Sequence, residues 1–236
     1  MKKNGNQPSQ LREGILASLP IFMGYIPVAV TFGLLAKSTG VTLLETFLFS
    51  ALVFAGASQF MALQLIQMGV SPIQIIAVTF IMNFRHFLMS SYLSTFFPEP
   101  NHSLLPFISF GVTDESFAYL ATRKEHPGHH FVLGLQYSAY VSWVGGTMIG
   151  FLAGAIIPRT LQVSMGLALY ALFIAILIPE VKKSVPAAIT AITGGLIHSL
   201  LTRSKYFSSG WNIIIAILVA AGVGSLLMNE KEGEDR

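Results

Sequence analysis

An arginine stands in the middle of a run that is otherwise apolar enough to cross a bilayer. The stretch from Pro72 to Leu93 carries Asn83-Phe84-Arg85-His86 near its centre, and about 20 predominantly apolar residues are what a spanning helix needs. A charge at that depth costs about 3 kcal/mol on insertion scales. Such a residue persists where it faces a partner, a hydrated cavity or a path for solutes. This helix is therefore one that lipid alone does not surround.

Composition extends the argument to the whole chain. Hydrophobic residues fill 53% of the 236 positions and charged residues 11%, against about 25% charged in an ordinary globular chain. The apolar residues come in several long blocks, the pattern of a polytopic helical protein rather than of an anchored soluble domain. A closed barrel would show short segments of alternating polarity, and these are missing. The absence of cysteine excludes disulfides and thiolate metal sites. The net charge of +3 is modest and its carriers lie mostly between the blocks, which marks topology and not a nucleic-acid surface.

The sequence thus predicts an all-α polytopic membrane protein of about eight transmembrane segments. Seven long spans fall near 14–36, 46–67, 72–93, 131–157, 161–178, 185–202 and 211–228. The segment near 104–121 holds Asp114 and Glu115 and reads as a short span or a re-entrant segment. If it crosses, nine loop and tail Lys and Arg residues share the side of the termini and four lie opposite; if it does not, the division is six against seven. The excess of positive charge on the cytoplasmic side then favours eight crossings with both termini cytoplasmic. Residues 1–13 read as a cytoplasmic tail with an uncleaved first span after it, 14–228 as a single transmembrane domain, and 229–236 as a disordered cytoplasmic tail.

Helical periodicity places Thr79, Asn83, His86 and Ser90 on one polar stripe, within about 60° of one another, with Arg85 pointing away from it. The stripe suits a hydrated cavity or interhelical hydrogen bonds. Arg85 suits either a substrate carboxylate, through its planar fork, or an ion pair with Asp114 or Glu115. In the second span Ala51, Ala55, Ser58 and Ala62 form a small-residue face for close helix approach, and Ser58 and Gln59 offer groups that would suit a zwitterion. Gly134, Ser138, Ser142, Gly146, Gly150 and Gly154 recur at every fourth position, a ridge for close helix crossing. Gly24, Pro27, Gly145 and Gly146 are hinge candidates, because proline removes a helical hydrogen bond and paired glycines loosen a helix. Asp114, Glu115 and His86 are candidates for proton binding, since carboxylates and imidazoles shift their affinity for protons readily when buried.

Catalytic signatures are missing. The chain has no Gly-x-Ser-x-Gly, no His-Glu-x-x-His and no phosphate-binding glycine loop, and Asp114 and Glu115 lack a second motif that would make an intramembrane hydrolase. No cofactor and no metal site are expected; His126, His129 and His130 flank Pro127-Gly128 and read as a solvated turn.

Gly24-Tyr25-Ile26-Pro27, Phe32-Gly33-Leu34-Leu35-Ala36, the run Phe54 to Phe60, Asn83-Phe84-Arg85-His86 and Thr113-Asp114-Glu115-Ser116 together resemble the AzlC family, the large subunits of bacterial branched-chain amino-acid exporters. The resemblance covers nearly the whole chain, though after about Gly146 it rests on hydropathy and glycine pattern. It implies export of leucine, isoleucine or valine, and methionine as a further cargo, across the inner membrane with a small AzlD-like partner subunit. A transporter built this way would hold the cargo's charged ends with Arg85, Gln59 and Asn83 and its side chain among Phe54, Phe60 and Phe84. The alternatives are export of another small zwitterion, a passive channel, or a membrane subunit that only supports its partner.

Overall fold

The computed structural model describes residues 7–97, 101–123, 127–154, 174, 177–179, 181–182, 184–207 and 209–234, and among these there is no strand. The helices are α1 (Gln7–Ala17), α2 (Leu19–Ser38), α3 (Leu43–Val53), α4 (Gly56–Gln67), α5 (Pro72–Ser94), α6 (Leu105–Phe110), α7 (Asp114–Ala121), α8 (His129–Ala153), α9 (Val185–Ser204) and α10 (Ser209–Glu234). Four stretches among the described residues are long and apolar enough to cross a membrane: α2, α5, α9 and Gly210–Leu227 of α10. Contacts divide the chain into two compact units, Met1–Leu63 with Met82–Met165, and Gln64–Ile81 with Gly166–Arg236.

In the first unit α1 and α2 lie along α8, and glycines set the distance. A Cβ on Gly33 would stand 2.0 Å from the Thr147 carbonyl oxygen, and one on Gly150 would stand 2.1 Å from that of Val30. The same reciprocal arrangement recurs toward the amino terminus, where Gly14 faces the Phe131 carbonyl and Gly134 that of Leu11. Only a residue without Cβ permits backbones so close, and the exposed Cα hydrogens point at carbonyl oxygens. The expected ridge on α8 thus makes a close contact at Gly134, Gly146, Gly150 and Gly154. Residue order rises together on both sides, 14 against 131, 33 against 147, 37 against 154, so α2 and α8 run parallel.

Three of the segments placed from the sequence are interrupted. The first breaks at Ser18, between α1 and α2, and not at Pro27, which sits inside an unbroken α2. Pro20, in the first turn of α2, is the cause, because its ring cannot accept the preceding helical turn. Helix α1 already begins at Gln7 within the stretch that reads as a tail, and packs through Leu11 on Gly134. The second span breaks at Phe54-Ala55, where Phe54 adopts φ 41°. The segment 104–121 becomes α6 and α7, separated by Gly111–Thr113. By contrast α8 runs unbroken through Gly145 and Gly146. Gly24 and Gly145 have no neighbour near a would-be Cβ, while Gly146 rests on Ala29.

In the second unit α9 and α10 pair antiparallel, with Gly194 against Ala220 and Gly224 against Thr190. Helix α10 continues to Glu234, where the sequence suggested a disordered tail. The span expected at 161–178 lies largely outside the described residues.

The glycine contacts generate a direct test. Gly33→Ala and Gly150→Ala are expected to destabilise the protein by about 1–3 kcal/mol or more through overpacking against backbone. Gly24→Ala and Gly145→Ala, on open faces, are expected to leave stability unchanged or slightly raised. Thermal unfolding in detergent, with membrane accumulation, measures both.

Candidate functional site

The two interruptions in α3–α4 and α6–α7 are stabilised by different means. Phe54 carries the first. A left-handed conformation costs a non-glycine residue about 1–2 kcal/mol, and the Phe54 ring offsets it by burial, 2% exposed, edge-on to Tyr140 and Tyr25 and tilted against Phe110. Two carbonyls near the end of α3 accept from side chains: Tyr140 OH donates to Ala51 O at 2.9 Å, and Gln59 Nε2 to Phe49 O at 2.6 Å. Gln59 Oε1 in turn accepts from Trp143 Nε1 at 2.9 Å. Gly56, the first residue of α4, is required because a Cβ would meet the Trp143 ring at 2.8 Å.

The second interruption is a capping box. Thr113 Oγ1 accepts from the Ser116 N–H at 3.3 Å while Ser116 Oγ accepts from the Thr113 N–H at 2.9 Å. That places Asp114 and Glu115 in the first turn of α7, where the positive end of the helix dipole favours carboxylates. The four-residue motif Thr113–Ser116 is thus a helix start that presents two acids side by side.

Around this start three helices converge. From α5, Arg85 Nη1 lies 2.9 Å from Asp114 Oδ2, and both side chains are nearly half exposed, 42% and 49%. The next residue on α5 is His86, whose Nε2 has no partner among the described residues. From α2, the buried Tyr25 hydroxyl reaches Thr113 Oγ1 at 2.9 Å and hydrogen bonds to the Glu115 carboxylate. With one proton to give, Tyr25 donates to the carboxylate and accepts from Thr113. From α8, the fully buried Gln136 lies against Gly111. Asn83 Oδ1, Arg85 Nε and both ends of the Gln136 carboxamide are buried without partners among the described residues. Buried polar atoms are seldom left so, which makes this cluster the candidate site of the first unit.

Of the residues singled out from the sequence, Arg85, Asp114 and Glu115 come together here, and His86 and Asn83 lie beside Arg85 on α5. Ser58 and Gln59 do not present free groups: Ser58 donates to Ala55 O at 2.9 Å, and Gln59 is spent on Phe49 and Trp143. Thr79 bonds back to its own helix. Phe84, expected beside the cargo, is 51% exposed on an outer apolar face and stacks on Phe87. The face expected over Ala51–Ala62 is divided by the turn at Phe54. Tyr25 and Gln136 were not singled out from the sequence; the family-like Gly24–Pro27 stretch contains Tyr25, and a glutamine inside a glycine-rich span was the available signal for Gln136. An apolar groove of about 670 Å³, lined by Leu11, Ile15, Phe22, Phe107, Leu133 and Tyr137 among others, lies apart from the charged cluster and has nothing to hold a charged ligand. No group of metal-ligating side chains occurs among the described residues.

An all-helical membrane protein with interrupted spans around an intramembrane ion pair defines the class. The family model described as AzlC protein matches residues 20–157, and the chain belongs to that family. It is 36% identical over 226 residues to an uncharacterized membrane protein of Archaeoglobus fulgidus, covering 94% of this chain and 95% of that one. It is 34% identical to the inner membrane protein YgaZ of Escherichia coli, over 91% and 87% of the two chains. It is 26% identical to the branched-chain amino acid transport protein AzlC of Bacillus subtilis, over 98% and 91%. No solved structure matches the chain.

The bridging role of Gln59 is testable. Gln59→Met removes the donor to Phe49 O and the acceptor for Trp143 Nε1, and is expected to lower stability by about 1–3 kcal/mol. The near-ultraviolet circular dichroism of Trp143 should change with it, while far-ultraviolet helix content stays the same.

Proposed function

We propose that this protein exports branched-chain amino acids, leucine, isoleucine or valine, with methionine as a further cargo, across the inner membrane. It does so as the large subunit of a two-component permease with a small AzlD-like partner. The observation that carries this reading is the Arg85–Asp114 ion pair, open to nearly half its surface, at the start of the half-helix α7. Half-helix termini at mid-membrane are where many repeat-built transporters hold the charged ends of their substrates. The names of the Bacillus and Escherichia relatives, one a branched-chain amino acid transport protein and the other an inner membrane protein, agree with the cargo and the location.

The chemistry of the pair favours a zwitterion. A free amino acid inserts with its carboxylate on Arg85 and its ammonium on Asp114, so two charges are exchanged and none is left alone. Asn83 and His86 supply further polar contacts on α5, and the Phe54 ring borders the turn. An anion or a cation of the same shape would leave one partner unpaired, which is the basis for discrimination. Glu115, held by Tyr25, and His86 are the groups through which a proton couples to the movement.

The parallel course of α2 and α8 supports eight crossings with both termini cytoplasmic. Parallel neighbours need an even number of reversals between them; α3–α4, α5 and α6–α7 provide this only if α6–α7 makes a crossing as well. Its 17 residues from Leu105 to Ala121 reach about 25 Å as helix, close to the hydrocarbon thickness.

The test is efflux of labelled leucine, isoleucine, valine and methionine from preloaded cells lacking their own exporters. This chain is expected to raise the rate when expressed with its small partner, saturably, and not when expressed alone. Arg85→Ala is expected to reduce efflux at least about 100-fold, in the range of a lost bidentate charge contact, with unchanged accumulation. Loss of accumulation would instead make the pair structural.

A further inference from the structure

Gln136 is the anomaly of the first unit. Ser50, Ser58, Gln59, Ser116, Ser142 and Thr147 are equally buried, and each is hydrogen-bonded through its side chain. The Gln136 carboxamide is 0% exposed, with neither Oε1 nor Nε2 partnered among the described residues. It lies flat against Gly111, where a Cβ would meet Oε1 at 2.7 Å and Cδ at 2.9 Å. Gly111 follows α6 and opens the Gly111–Thr113 link, so the group lies against the first residue of that link. The same link is tied to α2 by Tyr25, on Thr113. Gln136 is thus one stretch of backbone away from the Arg85, Asp114 and Glu115 cluster.

A dehydrated carboxamide opposes folding, and an apolar residue of the same volume would not. The link above it is buried, with Val112 packed in the apolar core, and its middle residue and its tie to α2 have few hydrogen bonds. The Val112 N–H reaches Ser109 O at 3.4 Å, and the tie to α2 is the single Tyr25 hydroxyl shared between Thr113 and Glu115. Releasing that hydroxyl would leave both helices and the capping box intact. A carboxamide offers a donor and an acceptor side by side, and so can take either charged end of a zwitterion without burying a fixed charge of its own.

We propose that Gln136 is a further binding residue for the transported amino acid, reached when the Gly111–Thr113 link moves off it. This rests on the reading above that the Arg85–Asp114 cluster takes a zwitterion. The experiment is thermal unfolding of the purified full-length chain, with its small subunit, titrated with leucine. It compares the wild-type protein with Gln136→Leu and Gln136→Met. Leucine is expected to stabilise the wild type. Both variants are expected to unfold at the same or a higher temperature without ligand and to need roughly tenfold more leucine or beyond, the effect of one net hydrogen bond. Equal leucine dependence in wild type and variants would overturn the role of Gln136 and leave the zwitterion reading standing. No response of the wild type to leucine, other branched-chain amino acids or methionine would overturn both. Failure of both apolar variants to fold would make Gln136 structural and overturn the proposal. A second readout addresses the movement. The chain has no cysteine, so Val112→Cys, fully buried here, is expected to react slowly with a maleimide in membranes and faster with leucine present, because leucine binds with the link moved. No reaction in the folded protein would show that the link stays shut.

Discussion

The contact between α2 and α8 at backbone distance is the constraint on which the first unit depends. Lipid chains are as apolar as leucine, so helices in a membrane gain little from apolar burial alone and associate through close packing. Gly33 on Thr147 O and Gly150 on Val30 O form such a contact, with Gly14 and Gly134 repeating it one break earlier. The parallel pair forms a rigid frame. Ser50 bonds to Thr147 at 2.9 Å, Tyr140 to Ala51 O and Trp143 to Gln59, so the interrupted α3–α4 is hung on α8. Tyr25, from the other half of the frame, holds the start of α7.

Interrupting a span in a membrane is costly unless the freed backbone groups find partners. Here the two interruptions solve that problem unequally. At Phe54 the side chains of Gln59 and Tyr140 satisfy carbonyls of α3, and a buried aromatic cluster fixes the turn. At Gly111–Thr113 the backbone is capped locally by Thr113 and Ser116, yet Gln136, against Gly111, keeps both carboxamide atoms unpartnered among the described residues. The first turn is a fixed part of the scaffold. The second has unused hydrogen-bonding capacity around a charged pair, which is what a site that exchanges partners needs.

Much of this was legible from residue order. The intramembrane Arg85 and its acidic partners, the glycine ridge on α8 and the helical class all follow from periodicity and from what charges and Cβ atoms cost in lipid. The Thr113–Ser116 stretch stood out only through the family resemblance, and that it caps a helix came with the geometry. Assignments that depended on helix continuity fared worse. A face drawn over Ala51–Ala62 assumed one helix, and the left-handed Phe54 divides it. Pro27 promised a break, yet α2 continues through it and the interruption falls at Ser18, just before Pro20.

The sequence by itself determined that the chain is a membrane-embedded helical protein, that α8 has a surface for close approach, and that a charged cluster lies inside a span. These follow from local composition and the period of the helix, which neighbours in space do not alter. Only the tertiary structure decided what each polar side chain faces. Gln59 and Gln136 are the same residue type, each at a buried helical position, yet one is bound at both ends and the other at neither. The difference comes from Phe49 and Trp143 in one case and from Gly111 in the other. Those partners are distant along the chain and are set by where the helices break, so no pattern within either span could reveal them.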